Sequence, residues 1–171
     1  MVNHKTRKLN MTIEEVNQFA KGVMEELGLE FIPFTMNDKR SRKLGRYFHP
    51  RKEGDLGQLE ITKVMLTGSI EAIKDVVKHE IAHYYTYMNL GRHTHDTRLY
   101  IDTCNKIGAN PAPKSKVDLL YKYEVICSEC GNVCGQTEKM TGWVKSAKAG
   151  TLAFTSGCCG ASLNLNIYDW E

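Results

Sequence analysis

Apolar residues recur along the first part of the chain with two different periods, and each predicts its own kind of element. Val16, Phe19, Ala20, Val23, Met24 and Leu27 follow at three- and four-residue spacing, the repeat of a single helix face. Thr12 with Glu15 forms a capping box ahead of that face, and Gly28 supplies a stop. Phe31 to Met36, Leu44 to His49 and Gly57 to Met65 are then short runs bounded by Gly, Pro, Asn or Asp, the marks of strands in a small antiparallel sheet. A second helical stripe, Ile70, Ile73, Val77, Tyr84 and Met88, runs through to Leu90. Ser69 is its N-cap, Glu71 and Asp75 suit the positive end, and Gly91 ends it. A third helix is expected from about His95 to Ile107, with Leu99, Thr103 and Ile107 on one side. Gly108 and the run Asn110, Pro111, Ala112, Pro113 break it.

Beyond Leu120 the texture changes. Tyr121 to Ile126, Trp143 to Ser146, Thr151 to Thr155 and Ser162 to Tyr168 read as brief strands separated by glycine and cysteine turns. The Pro-rich run therefore marks a boundary between residues 1–113 and a module at 114–171, too small to build a large core of its own.

Composition narrows the class. With 42% hydrophobic and 25% charged residues in 171, the chain is of globular type. The opening segment MVNHKTRKLNMTIEEV lacks the apolar core of a secretory signal, and nothing approaches the ~18 apolar residues of a membrane span. The expectation is a soluble, intracellular, cytoplasmic protein with no membrane partner, and six cysteines then suit metal binding or buried thiols better than disulfides. A net charge of +3 requires no nucleic-acid partner, but its distribution is uneven: Asp38 to Lys52 carries seven Lys/Arg against one Asp, interleaved with Tyr47 and Phe48. Such a stretch can track a phosphate backbone and stack a base, and it can equally be a solvated hairpin face.

The chemistry concentrates at residues 79–83, HEIAH. On a helix, positions i and i+4 project from one face, so His79 and His83 can offer two imidazole nitrogens to one Zn²⁺, with Glu80 beside the metal as general base. A catalytic zinc needs a third protein ligand and an open position for water. Thr86 and Asn89 exclude the elongated zincin motif, which asks for Gly and His at those places. No Glu lies between Tyr84 and Tyr123, which disfavours a glutamate from the following helix. His93, His95, Asp96 and Asp102 remain.

The stretch HEIAHYYTYMNLGRHTHDTRLYIDTCNKIG resembles the SprT-like family of zinc metalloproteases, which is Spartan-related. In that family a third His follows HExxH after about a dozen residues and opens a second helix, usually as His-Gly with a bulky residue three positions later. The resemblance implies His95 as third ligand and Leu99 as the bulky residue, with Asp96 in place of Gly and His93 as the neighbouring alternative. It also implies an α+β fold, a minimal zincin-like metalloprotease domain of N-terminal helix, small sheet, metal-binding helix and second helix, followed by a zinc-ribbon-like module. The implied reaction is peptide-bond hydrolysis on a protein substrate. For oxyanion stabilisation, Tyr84, Tyr100 and a basic side chain of the hairpin stand as alternatives.

Cys127, Ser128, Glu129, Cys130, Gly131 is a well-formed zinc-knuckle half. The family's ribbons often end in Cys-x-x-Cys-Gly, and aligning on Cys159 and Gly160 puts Ser156 where the first cysteine would stand. The expected structural site is Cys127, Cys130, Cys159 and a fourth thiolate from Cys158 or Cys134, giving two zinc ions per chain, one catalytic and one structural. Cys104 reads as a small buried residue. Lys139, Trp143, Lys145 and Lys148 make the module a second candidate DNA surface besides residues 39–52. The leading reading is thus a zinc endopeptidase acting near DNA; the alternative is a nucleic-acid-binding zinc adaptor whose HEIAH site is inactive or structural.

Overall fold

The computed structural model describes residues 1–38, 44–111, 121–137 and 139–170. Residues 39–43 of the basic segment and the expected boundary at 113/114 lie outside them. The chain forms two compact units, Asn10–Leu119 and Met1–Leu9 with Leu120–Glu171. The opening residues thus join the C-terminal module and not the unit that carries residues 79–83.

In the 10–119 unit, helix α1 (Ile13–Glu26) starts at the expected capping box: Thr12 Oγ1 accepts from Glu15 N and Thr12 N donates to Glu15 Oε2. Its face of Val16, Ala20, Val23 and Met24 is buried. Strands β2 (Phe34–Asn37), β3 (Gly45–Phe48) and β4 (Gln58–Thr62) form a sheet ordered β2-β4-β3. It is mixed where an antiparallel sheet was expected, since β2 runs parallel to β4 and only β3 is antiparallel to it. Period-two patterning fixes which face a residue takes, but says nothing of strand direction. Register aligns the rows Phe34–Leu59–Tyr47 and Met36–Ile61–Gly45 across the three strands. Leu59 and Ile61 are wholly buried, each contributing about 1.5–3 kcal/mol of apolar transfer.

Helix α2 (Ile70–Leu90) begins where the Ser69 hydroxyl accepts from Ala72 N and ends at Gly91, whose φ of 66° is the left-handed cap. Ile73, Val77, Ile81 and Tyr84 are sealed in the core. Helix α3 (Arg98–Ile107) starts three residues later than expected, because the Thr97 hydroxyl captures Tyr100 N and so becomes the N-cap. His95 consequently sits in the turn before the helix and not on it.

The other unit is a four-stranded sheet ordered β1-β7-β5-β6, from β1 (Val2–Arg7), β5 (Tyr123–Cys127), β6 (Val133–Thr137) and β7 (Leu163–Trp170). Strand β1 is parallel to β7; the other pairs are antiparallel. The expected strand at Trp143 to Ser146 is instead helix α4 (Gly142–Lys148), whose Val144 joins Tyr123, Val125, Leu165 and Ile167 in a miniature core, with Trp143 and Ala147 against it. A short apolar run has no period long enough to separate strand from helix. Thr151 to Thr155 forms no regular strand. Among the described residues no helix is long and apolar enough to cross a membrane.

Candidate metal centres

Helix α2 presents His79 and His83 one turn apart, and the turn before α3 brings His95 to them. The three Nε2 atoms form a nearly equilateral triangle with edges of 3.2, 3.1 and 3.2 Å. Ligands at about 2.0–2.1 Å from a tetrahedral Zn²⁺ lie about 3.3 Å apart, so the donor set fits that ion with a fourth position left open. Three acceptor nitrogens this close repel one another unless a cation sits between them.

The surroundings set the protonation such a site needs. Burial pushes His79 below the usual imidazole range; burial first and then the neighbouring His79, His95 and His93 bring His83 down to about 3, against the backbone of His93, which works in the opposite direction. Both rings are therefore neutral near pH 7. The carbonyl of Asn110 lies 3.3 Å from His79 Nδ1 and can only accept, so Nδ1 carries the proton and Nε2 is left with its lone pair. Asp75, one turn before His79, accepts from Asn110 N at 2.9 Å and holds that segment in place. The Tyr100 hydroxyl is 2.8 Å from the same Nδ1, and its ring stacks on His83 at 4.7 Å between centroids. Tyr100 is fully buried.

Of the oxyanion candidates, Tyr84 donates its hydroxyl to the Glu30 carbonyl. It does not line the cleft. Tyr100 is occupied at His79, whereas Arg46, His49 and Arg51 do line the cleft, which has a volume of about 930 Å³ and also contains Glu80, His79, His83 and His95. Glu80 is only 7% exposed. His93 is not part of the nitrogen triangle. Its ring packs 5.8 Å from Tyr47, 5.6 Å from His49 and 6.1 Å from Tyr87, which pins the loop that delivers His95.

In the other unit the thiols of Cys127, Cys130, Cys158 and Cys159 all lie within 4.8 Å of one another. Cys134 stands outside that set, with its Sγ 3.4 Å from the Asn132 carbonyl. Two similar turns build the cluster. Gly131 N donates to Cys127 O and Gly160 N to Ser156 O, and each turn closes on a glycine in the left-handed region, at φ of 72° and 65°. Ser156 thus takes the knuckle position without a thiol, 3.2 Å from Cys127 Sγ. Cys158 lies 3.4 Å from Cys130. The Cys127 thiol falls to about 6, chiefly through the Cys130 backbone N–H and then Ser156, whereas the Cys159 thiol is pushed up to about 12, chiefly by its hydrogen bond with Cys130.

The roles of Tyr100, Asn110 and Asp75 beside His79 escaped sequence reasoning. Tyr100 carried a signal, an aromatic near the start of α3, but its partner could not be read from spacing.

Fold and donor sets together define a mixed α and β protein with two candidate metal centres. The SprT-like family matches residues 11–117, and the chain belongs to that family. Among curated relatives, "Protein SprT-like" of Streptococcus suis strain 05ZYH33 is 27% identical over 131 residues, spanning 73% of this chain and 81% of the relative. The same protein of strain 98HAH33 matches equally. No solved structure matches.

Proposed function

We propose that the protein is a zinc-dependent endopeptidase, with His79, His83 and His95 as metal ligands and Glu80 as general base. The observation that carries this reading is the triangle of three imidazole nitrogens beside a buried carboxylate in an open cleft. A zinc ion held by these three histidines would supply Lewis acidity toward a peptide carbonyl and would lower the pKa of water. Glu80 takes the proton from the attacking water and returns it to the departing amine. Asn110, through its carbonyl, holds His79 in the tautomer that leaves the Nε2 lone pair for the metal, and the Tyr100 hydroxyl lies against the same ring. Cys127, Cys130, Cys158 and Cys159 hold a second, structural zinc. Proteins associated with DNA are the substrate class that the basic residues support, with Arg46 over the Phe48 ring at 4.4 Å and Lys145 and Lys148 on α4.

The test is digestion of a basic protein by zinc-loaded enzyme, with and without single-stranded DNA, beside Glu80→Gln and a chelator control. We expect cleavage by the wild type alone, faster with DNA. An active Glu80→Gln variant would remove Glu80 from the mechanism. Absence of cleavage with DNA still bound would favour a nucleic-acid-binding adaptor.

A further inference from the structure

Strand β3 crosses helix α2 at a spacing set by a residue without a side chain. Gly45 and Tyr47 share one face of the strand. Tyr47 is buried against Tyr84 and Tyr87, with centroids 5.5 and 6.0 Å away. On α2 the corresponding stripe is Val76, Glu80 and Tyr84, each one turn apart, so Gly45 falls over the first two. A methyl group added to Gly45 would stand 2.7 Å from Val76 Cγ1, 2.9 Å from Glu80 Cγ and 3.2 Å from Glu80 Oε1. Carbon atoms in contact prefer about 3.5–4.0 Å. Gly45 is not among the glycines with positive φ, so its backbone conformation does not itself call for glycine. Space alone requires glycine there.

The two Glu80 atoms that crowd this position belong to its own side-chain arm, including a carboxylate oxygen. A glutamate has several rotatable bonds and many rotamers; here the bare strand backbone walls one side of the arm. We infer that Gly45 is a positioning residue for Glu80, holding its carboxylate at the place where it takes the proton. The inference rests on the peptidase reading. A displacement of about 1 Å at a reacting group can cost about 100-fold in rate, so a side chain at position 45 acts on turnover more than on binding.

The test compares Gly45→Ala, Val76→Ala and the double variant, all zinc-loaded, by metal content, Tm, kcat, KM and crystallography. The expected result for Gly45→Ala is full zinc content, KM within about twofold and kcat lowered about 10- to 100-fold, by the same proximity argument. Its crystal structure should show the Glu80 carboxylate moved while the three imidazoles stay in place. Val76→Ala removes the closest contact, so the double variant should recover Tm yet keep the loss of kcat, because Glu80 is still pushed. Wild-type kcat in Gly45→Ala, or full recovery of kcat in the double variant relative to Val76→Ala alone, would overturn the inference and leave ordinary packing. An unmoved Glu80 in the crystal would do the same. An inactive wild type would instead count against the peptidase reading, and the position of Glu80 would still decide whether Gly45 sets it.

Discussion

Two histidines lie two residues apart in the loop before α3, and their side chains have different work. His95 completes the nitrogen triangle, whereas His93 packs among Tyr47, His49 and Tyr87. His95→Ala should therefore lower bound zinc by one ion per chain, while His93→Ala should keep that ion with weaker affinity. Equal zinc loss from both in a metal assay would count against the distinction. Tyr100→Phe removes the hydroxyl 2.8 Å from His79 Nδ1 but keeps the ring on His83. Loss of such an outer partner typically costs about 10–100-fold in metal affinity, and competition with a calibrated chelator would measure it. At this scale the sequence was informative where chemistry is local. The i, i+4 spacing alone puts His79 and His83 on one face, but His95 stood out from its neighbours only through the family resemblance. Asn110 reaches His79 from 31 positions away, and no periodicity encodes that return of the chain.

The caps of α1 and α2 were legible because hydroxyl, carboxylate and glycine sit at fixed offsets from an apolar stripe. Helix α3 was expected from about His95 and starts later for a reason of the same kind, since the Thr97 hydroxyl reaches Tyr100 N and caps the helix there. Thr97→Ala should then cost about 1 kcal/mol in urea unfolding and loosen the turn that carries His95; unchanged stability would mean that the cap is replaced by water. Strand β1 gave no sign, because VNHKTR has no apolar alternation and pairs through its backbone with β7. Trp143 to Ser146 is apolar enough for either element, and only packing of Val144 on the sheet decides for a helix. In the cysteine cluster, Cys127→Ser should lower the metal count from two to one and loosen that unit. A count still at two would take Cys127 out of the ligand set.

For the molecule as a whole, buried neutral histidines tie stability to pH. In the metal-free protein His79 and His83 sit below their ordinary value, and His83 falls to about 3; unfolded, both take up protons near pH 6.5. Their folded pKa values are depressed, so the unfolded state binds more protons on acidification. Stability is full above pH of about 6.5 and declines below it, by at most about 1.4 kcal/mol per pH unit for each histidine. Urea melts of stripped protein between pH 7.5 and 5 should show the midpoint falling; a flat or rising midpoint would contradict the buried-neutral assignment. The pairing of β1 with β7 bears on another property, the order of events during synthesis. Val2 must wait for Leu165 before its strand has a neighbour, whereas residues 10–119 contain all the contacts of their own unit. On the ribosome, where folding proceeds from the N-terminal side and unit by unit, the unit that carries the histidine cleft can fold while β1 is still unpaired. A strand made before the histidine cleft is thus fixed after it, and the thiol-bearing unit matures only after the imidazole-bearing one.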